Sequence, residues 1–572
     1  MRKLLMPLSL LIAFEFASSG FGQASAPQSS KTSDQSLKAP QPMKKPFVKL
    51  FTLIGAGTLK DTSDSAIEAI ARNHGWINSH AGYWLKPTDP LWAYPFGPSA
   101  GKDAKGRTVG ERLKAFNPEI ILTNYRNGSY TNQNAEQEAG ETEKRCPLAI
   151  AVYNTSTTLS RAIAPADETL VLTAPPSAPE KVPGEKDLAT YPFKTSKTTQ
   201  DYTVNKKEYV AWLRIADEIM RIDKAERVDG QIQLTVKRGI WGTVAAAHDA
   251  NSIAFAPVYC GSRRPNGDEY YLSGLPDGDS PQPGLRYVMD VKKPEFWDLL
   301  ADKSKECIDE GYDGPWFDCN VSEWINHSNA YGVRIPAPWD LEMNRELDHE
   351  TYRKYQQQKL DNMFSRFPKN GFYVNWIFPR FYWNNGSDRK LFTNEEGHHP
   401  ISGGAIEMYC NEGHMEWLPL MRMEFDMRDN NFRHIAWAKR NDTLGEHNMP
   451  ESFVYFAYGT FLLVHEADKP MYWGAKWAAA GDAKEFDPPS LVYWDLGQPE
   501  ETFKTIEEAE WKENPGIYAR HFSKGLVLVN PDFKKAQTVS LPTDLYNVRT
   551  SQFTNKAEVE PRTALILLKP GQ

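Results

Sequence analysis

Apolar and polar positions fall into two alternating kinds of segment from about residue 47 onward. Short runs rich in β-branched, aliphatic and aromatic residues are followed by longer stretches with apolar positions at helical spacing. "FVKLFTLIGAG" is the first β-type run. "DSAIEAIARNHG" after it predicts a helix capped by Asp or Ser and stopped at Gly75. "TVGERLKAFNPEIILTNYRNG" predicts a helix, a break at Pro118 and the strand "EIILTNY". Further on, "LRYVMDV", "GPWFDCN", "FYVNWIF", "GGAIEMYCN", "FRHIAWAKR" and "PMYWG" read as strands three to eight. Helical stretches separate them, among them "KPEFWDLLADKSKECIDEG", with Pro294 at its start and Gly311 at its end, and "PESFVYFAYGTFLLVHEADK". Eight β units with intervening helices over about 47–510 predict an α/β fold, a (β/α)8 TIM barrel. An open doubly wound sheet is the alternative, but no GxGxxG follows the first strand.

Two segments break this rhythm. About 160 residues separate strands two and three, and they hold "ETLVLTAPPSAP", "EYVAWLRIADEIMRID" and "GQIQLTVKRGIWGTVAAAHDA". Short alternating runs with glycine turns predict an inserted small β-domain over 147–258, dividing the barrel into 47–146 and 259–510. Cys146 and Cys260 bracket it. An insertion leaves and re-enters at one loop, so they are expected close together, either as a disulfide or as two unrelated thiols. The tail, 511–572, has short β runs with Gly, Asn-Pro and Lys-Pro turns, which predict a C-terminal antiparallel β-sandwich.

Composition narrows the class. The 572 residues carry a net charge of −8 and no basic block, which argues against nucleic acid as a partner. Met1 to Ala26 has Arg2 and Lys3, an apolar core from Leu4 to Phe14 and small residues in "GQASA", so 1–26 reads as a signal peptide. Residues 27–46, rich in Ser, Pro, Lys and Gln, read as a flexible leader. No later stretch is long and apolar enough to span a membrane, so the expected location is secreted or periplasmic. The 17 Trp, 25 Tyr and 27 Phe are read first as core packing, and an excess of this size also suits sugar binding, where flat C–H faces stack on rings. "NEEGHHPISGGAIEMYCNEGH" offers Glu395, Glu396, His398, His399 and His414, but the His pair is adjacent and no HExxH occurs. No metal and no cofactor is expected.

The candidate chemistry lies at strand ends. Alternate strand residues share a face, so Trp316 and Asp318 point one way and Phe317 points to the helices. If Trp316 lines the barrel, Asp318 crowns its C-terminal rim, where barrel enzymes place their active sites. By the same parity Glu407 follows Ala405, Asn375 follows Tyr373, and Asp290 follows Val288, while Asn124 ends strand two. Asp290, Asp318 and Glu407 are therefore expected at one mouth with Asn124 and Asn375. Asn320, Glu412, Tyr125, Trp376, Tyr409 and Trp473 are expected as substrate-binding neighbours. Glycoside hydrolysis needs two carboxylates across the scissile bond. Asp318 and Glu407 are the catalytic candidates, Asp318 as nucleophile or base and Glu407 as acid, with the reverse assignment open. Asp313, ahead of its strand, reads as structural.

Three resemblances bear on this. "GYDGPWFDCN" resembles the "GfDGvffDn" signature of barrel glycoside hydrolases, "LRYVMDVKKPEFWDLL" their preceding strand and helix, and "GGAIEMYCNEG" their later "dGvmmE" strand. The likeness spans about 285–475, with Pro315 and Cys319 as departures. It implies a glycosidase-type barrel with Asp318 and Glu407 at matching strand ends. "IADEIMRI…VKRGIWGTVAAAHDANS" resembles a β-module of phage tail and surface proteins, which implies binding or spacing and no chemistry. The tail resembles the terminal β-domain behind many glycosidase barrels. The expected protein is a secreted glycoside hydrolase acting on a poly- or oligosaccharide. A non-catalytic carbohydrate-binding or surface-adhesion barrel is the rival.

Overall fold

The computed structural model describes residues 37–54, 59, 61–79, 94–128, 130–132, 148, 156–173, 190, 193, 197–198, 208–209, 211–256, 286–318, 339–341, 343, 345–368, 371–375, 377–383, 388–393, 401–411, 415–439, 449–475, 477–478 and 487–571. Eight parallel strands follow one another in chain order: β1 (Phe51–Ile54), β2 (Trp76–Ser79), β3 (Ile121–Asn127), β4 (Gly314–Asp318), β5 (Tyr373–Val374), β6 (Gly403–Glu407), β7 (His434–Trp437) and β8 (Met471–Gly474). A parallel bridge from Leu50 to Trp473 and a bond from Trp473 N–H to the Lys49 carbonyl bring β8 back to β1. The sheet is therefore a nearly closed barrel, and Trp477–Ala478 adds a short second pairing on β1.

The count of eight agrees with the sequence, but one member differs. "WINS" supplies β2, and "LRYVMDV" is not a barrel strand. Arg286–Val288 instead pairs antiparallel with Tyr130–Asn132 beyond the end of β3. β4 lies directly against β3, Gly314 opposite Thr123 and Trp316 opposite Tyr125, and leaves no place between them. β2 escapes a periodicity reading because half of it is buried polar side chain. Asn78 Oδ1 accepts from the Thr123 hydroxyl at 3.1 Å, and the Ser79 hydroxyl donates to Tyr312 Oη at 3.2 Å.

Helices cover the outside: α1 (Asp64–Asn73), α2 (Val109–Phe116), α3 (Pro294–Asp309), α4 (His349–Arg366), α5 (Trp417–Asp429) and α6 (Glu451–Val464). Their limits follow local chemistry. Ser63 caps α1, accepting from Ala66 N–H, and Thr108 with Glu111 forms a capping box on α2. Pro294 opens α3, and Gly311 follows its end at φ 87°, a conformation that favours glycine. Asp313 does the structural work expected of it. Its carboxylate accepts from Leu122 N–H and pairs with Lys114 at 2.7 Å, away from the strand ends that carry Asp318 and Glu407.

Aromatic rings fill the barrel. Phe51, Trp76, Trp316, Tyr373, Trp437 and Tyr472 come from six different strands and form one buried cluster. Phe51 stacks on Trp316 at 5.3 Å, while Trp76 meets Trp316 edge-on at 5.4 Å and Tyr373 at 4.7 Å. Phe317, as parity requires, packs outward with Phe296 and Leu300 of α3. Within the predicted 147–258 insertion lies a six-stranded antiparallel sheet ordered Ser156–Thr158, Ile253–Phe255, Trp212–Ile215, Glu218–Val228, Gln231–Lys237, Thr169–Leu172, with an apolar cluster of its own. Cys146 and Cys260 lie outside the described residues.

The tail forms a five-stranded antiparallel sheet, Tyr518 to Leu568, with an apolar cluster of its own that includes Leu528, Val539, Val559 and Leu567. The opposing layer on one face is α6. That helix is apolar nearly all round because the barrel takes one side and the sheet the other, with Val527, Val529 and Ile566 joining the barrel-side core. A Cβ on Gly459 of α6 would collide with the Ala564 methyl. Gly459→Ala is thus expected to lower stability by about 1–3 kcal/mol through overpacking, although alanine favours helix. Denaturant unfolding of variant and parent measures it, and a neutral or stabilising result contradicts the contact.

Candidate active site

Four adjacent strands deliver side chains to one point at their C-terminal ends. Asp318 is the last residue of β4, Asn375 follows β5, Glu407 is the last of β6, and Lys439 lies two residues beyond β7. Each sits on the inward face, two positions after a barrel-filling residue: Trp316, Tyr373, Ala405 and Trp437 respectively. Asn375 Nδ2 donates to Asp318 Oδ1 at 3.1 Å and also to Glu407 Oε2. One amide nitrogen thus holds both carboxylates, and the two bonded oxygens stand no more than roughly 6 Å apart. Glu407 Oε1 accepts from Lys439 Nζ at 2.7 Å, and that ammonium lies 5.1 Å from the Trp437 ring centroid. The Tyr125 hydroxyl of β3 donates to Asp318 Oδ2 at 2.5 Å.

Electrostatics separates the two acids. Burial pushes the Asp318 carboxyl above the ordinary carboxylate range, and the negative charge of Glu407 pushes it the same way. The donors Tyr125 and Asn375 and the more distant Lys439 oppose this only in part. Glu407, 5 % exposed, carries its own ammonium partner. The surroundings thus hold the Asp318 proton more tightly than usual, while Glu407 is the member of the pair that meets an ammonium, and one amide bridges the two.

Other expected site residues lie elsewhere. Asn124 is wholly buried and faces the helices, its amide donating to the Ser79 hydroxyl at 2.9 Å, because Tyr125 takes the inward position on β3. Asp290 follows the short strand Arg286–Val288, not a barrel strand. Its carboxylate accepts from Lys292 N–H at 3.0 Å, and Lys293, Lys292 and Arg214 of the inserted sheet are the cations around it. Burial raises its carboxyl, and those groups pull it back. Tyr409 is buried behind β6, where its hydroxyl donates to Glu424 of α5 at 2.5 Å. Trp473 faces α6, 4.9 Å from the Tyr458 ring, because Tyr472 is the inward residue of β8. Asn320, Trp376 and Glu412 lie outside the described residues, as do Glu395, Glu396, His398, His399 and His414. Among the described residues no group of three His, Cys, Asp or Glu side chains could hold a metal ion. Lys439 was not anticipated, although "HIAWAK" carries the signal: it shares parity with Ile435 and Trp437.

No family model matches the chain, and no curated protein matches it. Among solved structures it is similar to the glycoside hydrolase domain of PelA from Pseudomonas aeruginosa, with 11% identity, TM-score 0.31, 75% of this chain and 95% of that one covered. It is similar to a family GH13_31 enzyme at 8% identity and TM-score 0.39, covering 91% and 99%. Eubacterium rectale Amy13B gives 9% identity and TM-score 0.35, covering 93% and 97%. Likenesses this distant bring no residue role and no activity to this chain.

The raised Asp318 carboxyl has a consequence for stability. A group that binds its proton more tightly when folded stabilises fully below its unfolded value, about 4, and loses that contribution as pH rises through the raised folded value. Asp318→Asn removes the loss. The variant is expected to gain on the parent between pH 4 and pH 8 in unfolding midpoint, whereas a constant difference across that range would show an unperturbed carboxyl.

Proposed function

We propose that the chain is an exported glycoside hydrolase that cleaves a poly- or oligosaccharide with Asp318 and Glu407. The observation that carries this reading is the single amide of Asn375 bonded to two carboxylates at the C-terminal ends of β4 and β6. Two carboxyls bridged by one amide stand at the close end of the separations glycoside hydrolysis uses, which favours a double displacement, with carboxyls about 5–5.5 Å apart, over a single displacement, with carboxyls about 6.5–9.5 Å apart.

Charge placement favours Asp318 as acid and Glu407 as nucleophile, the reverse of the first assignment from sequence. Asp318 keeps its proton because of burial and of Glu407 beside it, and gives it to the leaving glycosidic oxygen. Glu407, held by Asn375 and Lys439, attacks the anomeric carbon as that C–O bond breaks, forming a glycosyl ester. The Asp318 carboxylate then takes a proton from water. The resulting hydroxide attacks the same carbon, the ester bond breaks, and both acids return to their starting states. Six aromatic rings beneath the pair keep bulk water out from below and strengthen every charge interaction above them.

A panel of poly- and oligosaccharides incubated with parent, Asp318→Asn and Glu407→Gln tests the reading. Asp318→Asn is expected to lose about 10²–10⁴-fold in rate while binding persists. Glu407→Ala supplied with azide is expected to yield a glycosyl azide of inverted anomeric configuration. An azide of retained configuration would exchange the two roles. Binding without cleavage by the parent across the panel would instead make the barrel a carbohydrate-binding protein.

A further inference from the structure

Immediately after Glu407 the chain turns through two non-glycine residues in the left-handed region, Met408 and Cys410, both at φ 62°. L side chains adopt that region reluctantly, and a turn containing two of them persists where its surroundings fix it. Three contacts do so here. Tyr409 N–H donates to the Trp437 carbonyl at the end of β7 at 3.0 Å. The Tyr409 hydroxyl donates to Glu424 Oε2 of α5 at 2.5 Å, with both side chains wholly buried. Arg562 Nη2 donates to the Cys410 carbonyl at 2.7 Å. Arg562 belongs to the C-terminal sheet, in the turn before its last strand, Thr563–Leu568. Its guanidinium lies 4.1 Å from the Phe456 ring centroid of α6 and 4.7 Å from that of Phe533, so it is held flat before it reaches the turn.

We propose that the C-terminal sheet is a working part of the acid pair, with Arg562 and Tyr409 as positioning residues that lock the turn 408–411 and so hold Glu407 against Asn375 and Lys439. The proposal rests on the glycosidase reading for its effect on rate, but the positioning itself does not. A relaxed turn would let strand alternation run on past Glu407. Tyr409 would then swing toward the barrel axis, and the Glu407 carboxylate would leave the shared amide. Displacements of about 1 Å at a reacting group cost up to about 100-fold in rate.

The test uses the full chain with Arg562→Lys and Tyr409→Phe, each first shown to unfold cooperatively. Arg422→Lys, which alters an exposed pair with Glu507 on the far side of α5, serves as control. One readout is independent of activity: carboxyl-carbon NMR titration of Asp318 and Glu407, assigned with Asp318→Asn and Glu407→Gln. Both positioning variants are expected to displace the titration of the pair, and the control to leave it unchanged. On a glycan that the parent cleaves, kcat is expected to fall about 10–100-fold while KM changes less than about threefold. An unchanged titration in either folded variant, an equal displacement in the control, or an unchanged kcat overturns the proposal. A displaced titration in a chain that cleaves no glycan upholds the positioning and overturns the glycosidase reading instead.

Discussion

One amide group constrains the whole mouth of this barrel. The Asn375 nitrogen donates to Asp318 and to Glu407 at once, so two carboxylates must share a small volume above an aromatic floor. Like charges at such range repel strongly when water is excluded. The surrounding groups answer that repulsion in different ways on the two sides. Lys439 pairs directly with Glu407, whereas Asp318 accepts from the neutral donors Tyr125 and Asn375 and feels Lys439 from further away. The asymmetry favours the proton on Asp318, which is the basis of the division of labour proposed for the pair.

The aromatic floor and the acid pair form one construction. On three of the ring-bearing strands the ring lies below and a functional group two residues above, so the packing that closes the barrel also fixes donors and acceptors at the rim. Trp316 beneath Asp318, Tyr373 beneath Asn375 and Trp437 beneath Lys439 are the same device repeated on three strands. Groups mounted on strands gain precision from the core they stand on, which a loop-borne pair would lack.

How much of this was legible in the sequence depended on whether a residue obeys simple alternation. Asp318, Glu407 and Asn375 follow regular strands, and parity alone placed them on the inward face. Asn124 failed because the choice between it and Tyr125 needs the register of β3, and one residue of slip exchanges the two faces. Tyr409 failed because left-handed residues on either side end the alternation just where the acid stands. Trp473 failed for the same reason as Asn124, Tyr472 being the inward member of its pair. Asp290 failed because its apolar run, strand-like by composition, pairs with the extension of β3 outside the barrel. In β2 the buried Asn78 and Ser79 spend their polarity on Thr123 and Tyr312, and a polar-apolar pattern does not reveal polar groups satisfied inside.

Helix α6 belongs equally to two layers. Its aromatic and aliphatic side chains meet the barrel on one side and the terminal sheet on the other, with Gly459 permitting the closest approach. A helix with no wet face has no natural place to be cut. Such a chain evolves as a single inheritance: recombination could exchange its inserted sheet, which keeps its own core, but could not swap the last sixty or so residues for another module without rewriting α6 as well.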